Sequence, residues 1–334
     1  MQNKGESLVT EIQKRKKEHI EVVLKKDIQY EKSAGFEKVE FIHVALPEMD
    51  FEEINTSVEF LGKKLNAPLI IEAMTGGFGG GEKINKALAK AAEKFGIAFG
   101  LGSQRAMLEN KKDKSYFVRE VAPNVPIIGN IGAVQLRKYG VKELEWLVSE
   151  CELNALAIHL NPLQEVLQPK GDLDFSGVLV RIGKICKDLS VPVIVKETGA
   201  GIDRNVAIKL KDVGVTWIDV AGAGGSSWSK VEYLRGKGIK GFEEWGIPTA
   251  ESIVECKGVL PVIASGGLRS GIDCAKSIAL GAELSGAAYP FLKALYSKKL
   301  EETIEEWILQ LKMCMFLTGS KNIEQLKKAR MRIY

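Results

Sequence analysis

The sequence predicts a (β/α)8 barrel, and three observations carry that expectation. Short apolar, β-branched runs ending in Gly or a polar residue recur eight times, each followed by an Ala-, Lys-, Glu- and Leu-rich stretch. Their starts lie about 20–45 residues apart, which is room for one strand and one crossover helix each. Several runs stay apolar for four or five residues without alternation, as strands buried on both faces must.

In order, the runs are "APLIIEAMTGG" (67–77), "IAFGLGSQR" (97–105), "PIIGNIG" (126–132), "ALAIHLN" (155–161), "PVIVKETG" (192–199), "WIDVAGAGG" (217–225), "PVIASGG" (261–267) and "LSGAAYP" (284–290). Between them, 82–96 has helical apolar spacing and stops on Gly96, and 270–282 opens on a capping Ser and stops on Gly281. A doubly wound open sheet is the alternative, but eight near-equal units favour closure. No Pro/Ser linker or low-complexity tract interrupts the 334 residues, so one domain is expected. Its parts are a pre-barrel segment (1–66), the barrel (67–297) and C-terminal helices (298–334). The pre-barrel part should hold a basic helix, then an extended stretch around "VEFIHVALPEMDF" (39–51) covering the barrel's bottom.

The bulk properties narrow the partners. Lys and Arg number 47 against 43 Asp and Glu, a net charge of +4 that suits an anionic ligand but argues against nucleic acid. Five scattered cysteines, odd in number and never spaced CxxC, argue against a disulfide framework and against a zinc site. The N-terminus is charged where a signal peptide would be apolar, and no stretch is long enough to span a membrane. A soluble cytoplasmic protein is expected.

Ligands of such barrels sit at the C-terminal strand ends. Here those ends carry Met74, Thr75, Ser103, Gln104, Arg105, Asn130, His159, Asn161, Lys196, a Gly-rich loop with Ser226, and "SGGLRSG". One polar strand end would be structural, whereas most of eight point to a site. Gly266 and Gly267, in a tight turn before a helix, let backbone amides approach a phosphate at the place barrels commonly use. Lys196 ends an apolar strand, where a cation is costly unless paired or used. It either snorkels out beside Glu197, neutralises an anionic cofactor ring, or forms a Schiff base. His159 reads equally as a structural residue or as part of the polar cluster with Asn161, Gln164 and Glu165. Glu165 is the best single carboxylate for a hard divalent cation, which typically takes few protein ligands. The run "QKRKKEHI" (13–20) is either a solvated helix face or a basic arm over the mouth, with Arg15, Lys16 and His19 on a phosphate.

Taken together, "RKKEHI", "AMTGG", "GLGSQR", "GNIGAVQL", "HLNPLQE", "VIVKETGAGI", "DVAGAGGSSW", "GIPTAESI" and "ASGGLRSG" resemble the type 2 isopentenyl-diphosphate delta-isomerases, over nearly the whole chain. The resemblance implies a barrel that binds FMN, active when reduced, with Mg²⁺ as second cofactor and NADPH as usual reductant. It implies interconversion of isopentenyl and dimethylallyl diphosphate in isoprenoid biosynthesis, by a homo-oligomer such as a tetramer or octamer. Ala73, Met74, Thr75, Ser103, Asn130, Lys196, Ser226, Gly266, Gly267, Ala287 and Ala288 match flavin positions. Arg15, Lys16, His19, Ser103, Gln104, Arg105, Asn161 and Gln164 match substrate positions, and Glu165 matches the metal ligand. Lys196, His159 and Gln164 are the candidates for the chemistry. Ala221 departs from the family, many of whose members carry Ser there.

Two other readings compete. A flavin-dependent 2-hydroxy-acid oxidase or dehydrogenase shares the barrel, Lys196 and "SGGLRSG", but such enzymes use a His base late in the barrel. None of the three histidines lies beyond 159. A non-catalytic flavin- or phosphate-binding sensor would leave the polar mouth incomplete, whereas Arg105, Gln164, Glu165 and Lys196 are all present.

Overall fold

A computed structural model describes residues 2–169, 171–236 and 239–334, with 2–13 given by backbone alone. Helix α1 (Gln2–Lys25) is followed by strand β1 (Val39–Phe41) and the hairpin β2 (Val58–Phe60) and β3 (Lys63–Leu65). Eight parallel strands then alternate with helices: β4 (Leu69–Ile71), β5 (Ala98–Gly100), β6 (Ile127–Gly132), β7 (Ala155–His159), β8 (Val193–Lys196), β9 (Trp217–Asp219), β10 (Val262–Ala264) and β11 (Leu284–Ala287). They close in the order β10-β11-β4-β5-β6-β7-β8-β9. Closure removes the open-sheet alternative, and all eight strands fall inside the eight runs of the sequence.

The helices between and after the strands are α2 (Gly81–Phe95), α3 (Arg105–Glu109), α4 (Val141–Glu150), α5 (Pro162–Leu167), α6 (Val178–Asp188), α7 (Arg204–Asp212), α8 (Trp228–Leu234), α9 (Thr249–Cys256), α10 (Gly271–Leu280) and α11 (Tyr289–Tyr296). Local chemistry sets their ends. Ser270 caps α10 by accepting from the Asp273 amide, and Gly96 ends α2 at φ 63°, a conformation glycine adopts without a Cβ penalty. No helix among the described residues is long and apolar enough to cross a membrane.

The buried apolar side chains form two bodies. One lies between the strands and the surrounding helices, and includes Leu69, Ile71, Leu88, Phe99 and Ile127. The other fills the barrel's interior at its N-terminal end: Ile70, Ala98, Ile128, Ala155, Ile194, Ile263 and Leu284, sealed by Phe60 and Leu65 of the hairpin. Alternation along each strand assigns side chains to one body or the other. Phe60 stands edge-on to Trp217 with ring centroids 4.9 Å apart. The bottom plug is therefore 58–65, a correction to the expected 39–51. That earlier segment runs along the outside instead: β1 pairs antiparallel with β12 (Met331–Ile333), and Phe51 meets Phe316 beside α12 (Leu300–Leu317). A short helix, α13 (Ile323–Leu326), precedes β12. Phe60→Ala should lower stability by about 3–5 kcal/mol, through lost burial and the cavity left behind. Thermal denaturation checks the loss, and turnover per folded molecule should be unchanged because the plug lies at the end away from the mouth.

Candidate active site

Strand C-termini and the first helix enclose one cavity of about 290 Å³. Helix α1 packs against α3 and α8, which places Arg15, Lys16 and His19 over the mouth rather than in solvent. The functional reading of the basic run thus has its geometry, and Lys14 and Lys17, both exposed, form the solvated remainder. Nineteen of the twenty candidate positions line this cavity. Gln104 does not. It is fully buried, its Oε1 accepting from the Asn130 amide (3.0 Å) and its Nε2 donating to Cys151 Sγ (3.3 Å). Its place is behind the wall, tying β5's end to β6, because the strand-to-helix turn points it inward.

One corner gathers positive charge and oxygen donors. Lys16 Nζ donates to Ser103 O (2.7 Å) and to Tyr116 Oη (2.8 Å), while the Tyr116 hydroxyl donates to Ser103 O (2.6 Å). Burial, with Arg15 and Arg105 nearby, pulls Lys16 down to about 7 against the opposing pull of Asp113. Arg15 donates to Gln168 Oε1 (3.3 Å), and Arg105 Nε is buried without a partner among the described residues. A cation left waiting in a lined cavity fits an anionic ligand. His19 behaves differently: Nε2 meets Glu232 Oε1 at 3.0 Å, and burial holds its pKa below the ordinary value. With Nε2–H donated to Glu232, the neutral ring offers only an acceptor, so it serves a phosphate only once protonated.

Glu165 sits on the single turn of α5, buried, with both oxygens aimed by donors. Oε1 accepts from Asn161 Nδ2 (2.9 Å), and Oε2 accepts from the Asp172 amide (2.7 Å) and from Gln168 Nε2. Asn161 Oδ1 is buried beside it with no partner among the described residues. A lone carboxylate among amide oxygens fits a hard cation that completes its shell with water and substrate phosphates.

The opposite wall fits a flavin. Gly266 (φ 96°) and Gly267 (φ 78°) bring the β10 loop onto the β9 loop, where a Cβ at Gly266 would meet Gly222 O at 2.2 Å. Only glycine permits that approach, and Ser226, Ala73, Met74, Thr75, Ala287 and Ala288 continue the same wall. Ala221, also at positive φ, offers its amide to Asp219 Oδ1 (3.1 Å) and no hydroxyl to the cavity.

Lys196 lies at the floor, 2.9 Å from Asp219 Oδ2 and 3.9 Å from Glu72 Oε2. Burial alone would lower its pKa, but the two carboxylates raise it above the ordinary value, so it stays charged. That disfavours a Schiff base, which needs a neutral amine. Nor does it pair with the Glu197 carboxylate, which accepts from the amides of Thr198 (2.6 Å) and Gly199 (2.7 Å) in its own turn. His159 donates Nδ1–H to Asn130 Oδ1 (2.7 Å), and burial with Lys196 and Lys16 pushes its pKa to about 3. It is a neutral ring with Nε2 free to accept.

Sequence reasoning missed Gln29, Glu72, Gln168 and Trp228, which also line the cavity. Gln168, three residues after Glu165 on a helical turn, was legible from spacing. So was Glu72, a carboxylate directly after the apolar "LII". Gln29 lies on the loop after α1 and Trp228 at the start of α8, two places that only the closed barrel brings to one cavity.

The FMN-dependent dehydrogenase family model matches residues 173–333. The chain is 48% identical over 334 residues to the isopentenyl-diphosphate delta-isomerase of Pyrococcus furiosus, spanning 94% of this chain and 85% of that protein. To that of Archaeoglobus fulgidus it is 49% identical over 325 residues, spanning 94% of each. To that of Methanosarcina barkeri it is 46% identical over 336 residues, spanning 96% and 92%. Among solved structures, a flavocytochrome b2 double mutant with pyruvate bound superposes with a TM-score of 0.69 at 19% identity, covering 94% of this chain and 82% of that one. A mandelate oxidase mutant with (S)-mandelic acid gives 0.67 at 16% identity, covering 95% and 94%. At such identities these two share the fold alone. At 46–49% identity over nearly its whole length, and with an FMN-dependent family match in its second half, the chain belongs to the type 2, FMN-dependent isopentenyl-diphosphate delta-isomerases.

Proposed function

We propose that the chain interconverts isopentenyl and dimethylallyl diphosphate with reduced FMN and Mg²⁺, NADPH serving as reductant. The observation that carries this is the division of one cavity into a cationic, oxygen-lined corner (Arg15, Lys16, Arg105, Asn161, Glu165) and a glycine-walled side floored by Lys196. We further propose a homo-oligomer, tetrameric or octameric, working in the cytoplasm on a small diphosphate, with neither nucleic acid nor membrane as partner.

The reaction moves a double bond by one position. A proton is added at one carbon and another removed two carbons away, with no net oxidation. Bound reduced flavin supplies an electron-rich face for the developing tertiary cation and a ring nitrogen that carries a proton. Lys196 would offset the negative charge that reduction places on the bound flavin. Arg15, Lys16 and Arg105 would clamp the diphosphate, and Glu165 with Asn161 would hold the Mg²⁺ that neutralises it. Gln164 and His159 line the space between, His159 with a lone pair and no proton to give. Helix α1 covers the cationic corner, and the burial it brings strengthens every charge interaction there. A hydroxy-acid oxidase would need a base late in the barrel, and His159 is the last histidine of the chain.

Incubation with isopentenyl diphosphate, FMN, Mg²⁺ and a reductant in deuterated water, without oxygen, tests the reading. Dimethylallyl diphosphate carrying solvent deuterium, formed only when the flavin is reduced, is expected. Bound FMN with unchanged substrate would overturn it.

The depressed Lys16 adds a pH prediction. Below about pH 7 the amine is charged and ready for diphosphate, while above it the free enzyme must take up a proton on binding. Affinity for inorganic diphosphate should therefore fall with rising pH above 7, by up to about tenfold per unit, the limit for one linked proton. Calorimetry in buffers of different ionisation heat should show that uptake in the wild type. Lys16→Arg, always charged, should lose the share of that uptake that belongs to Lys16.

A further inference from the structure

The floor of the cavity holds one carboxylate more than its lysine needs. Lys196 and Asp219 face each other across adjacent strands in register, so they already form a neutral pair. Asp219 is further held by the Ser265 hydroxyl (2.6 Å) and the Ala221 amide (3.1 Å). Glu72 reaches the same lysine from β4, diametrically opposite β8 in the closed barrel. It is buried, its one hydrogen-bond donor among the described residues is the Ala73 amide at a long 3.3 Å, and a Cβ at Gly286 would meet its Oε1 at 2.7 Å. The backbone of β11 has no side chain there, so Gly286 makes the space the carboxyl occupies. A second cavity of about 10 Å³ opens between Glu72, Asn130, Lys196 and Asp219, space for about one water. Glu72 also lines the main cavity, so its proton exchanges with that space.

A buried, surplus negative charge is costly unless something neutralises it. We propose that Glu72 is a positioning residue that takes up a proton when the flavin is reduced, so that the Lys196–Asp219–Glu72 cluster passes from one net negative charge to none as the cofactor becomes anionic. This rests on the reading that the flavin lies against Lys196. Among the described residues, the charged groups facing Glu72 are Lys196 on β8 and Asp219 on β9. His159 on β7 is neutral, and Glu197 is turned into its own loop. Burial and Asp219 push Glu72 up to about 7 against the pull of Lys196, so the carboxyl is balanced between its two states. An added negative charge on the cofactor side raises it further. Between the two values, which lie above about pH 7, a two-electron donor such as dithionite delivers its electron pair to the flavin with one proton. A second proton goes to the Glu72 carboxylate. Below that window Glu72 is protonated throughout, and the reduction takes one proton. The isomerisation has no net redox change, so Glu72 keeps its proton through turnover and acts through Lys196, without touching substrate.

The test uses the FMN-loaded enzyme. Its flavin potential is followed against pH with dithionite, together with the infrared difference between reduced and oxidised states. The wild type should take up two protons per electron pair just above pH 7 and gain the carbonyl band of a protonated carboxylic acid. Glu72→Gln should take up one proton just above pH 7 and lack that band. A wild type that takes up one proton throughout, or a Glu72→Gln enzyme with the wild-type slope and band, overturns the proposal. Because the wild-type measurement stands alone, a variant that fails to fold does not shelter it. The underlying placement is tested separately: if Lys196→Ala leaves the flavin potential unchanged, the flavin does not lie against Lys196.

Discussion

Lys196→Ala is expected to lower turnover by about 10²–10³-fold, the range found when one preorganised electrostatic donor is removed from an active site. The lysine is charged, its side chain only 12% exposed, and held by Asp219 at 2.9 Å. Among the described residues it is the one cation at the floor of the cavity on the side proposed for the flavin. Without it, an anionic reduced flavin would face two buried carboxylates, so reduction itself becomes harder and turnover falls with it. The fold should lose stability as well. Breaking a buried ion pair ordinarily costs about 3–5 kcal/mol, because a charge is left uncompensated. Here Glu72, already near 7, can take a proton and absorb part of that cost. Turnover at saturating FMN and the flavin potential should therefore move together, with only a moderate fall in melting temperature. Wild-type turnover in this variant would remove Lys196 from the mechanism.

Glu165→Gln should cost on the order of 10²-fold in kcat/KM, at the upper end of the effects seen when metal-site partners are removed. The size follows from both what is lost and what is left. The amide keeps the shape and removes the one carboxylate that lines the cationic corner. It also turns a donor toward donors: one end faces Asn161 Nδ2, the other the Asp172 amide and Gln168. Either orientation of the new NH₂ leaves a buried donor unmatched, worth about 1–3 kcal/mol. Mg²⁺ titration of chelator-stripped enzyme should show a much weaker response in the variant, while FMN affinity is unchanged, since the flavin wall lies across the cavity. Glu165→Asp keeps the charge on a shorter stem and should recover part of the Mg²⁺ response. An unaltered titration in Glu165→Gln would place the cation elsewhere.

The sequence by itself determined the barrel, because its signals are local. Eight apolar runs, their Gly or polar endings and the helical spacing between them are written within windows of ten to twenty residues. Chain connectivity then forces eight parallel strands to present their C-termini on one side. Knowing that, most residues of the mouth could be named from their position after a run, and the basic arm from its charge. Side-chain direction past a strand end was not legible. Gln104 and Arg105 are neighbours in "SQR", yet one is sealed behind the wall and the other lines the cavity, since a single turn of backbone reverses the side a residue faces. Partners far apart in sequence were equally hidden. One reading of Lys196 set it beside Glu197, its chain neighbour; it does donate to Glu197 O (3.1 Å), but its carboxylate partners are Asp219 from the next strand and Glu72 from across the barrel. His19 meets Glu232, and the plug is 58–65 rather than 39–51, for the same reason. Local propensity chooses the elements, but only closure of the sheet fixes which groups share low-dielectric space, and that sharing sets the charge state of Lys16, Glu72, His159 and Lys196.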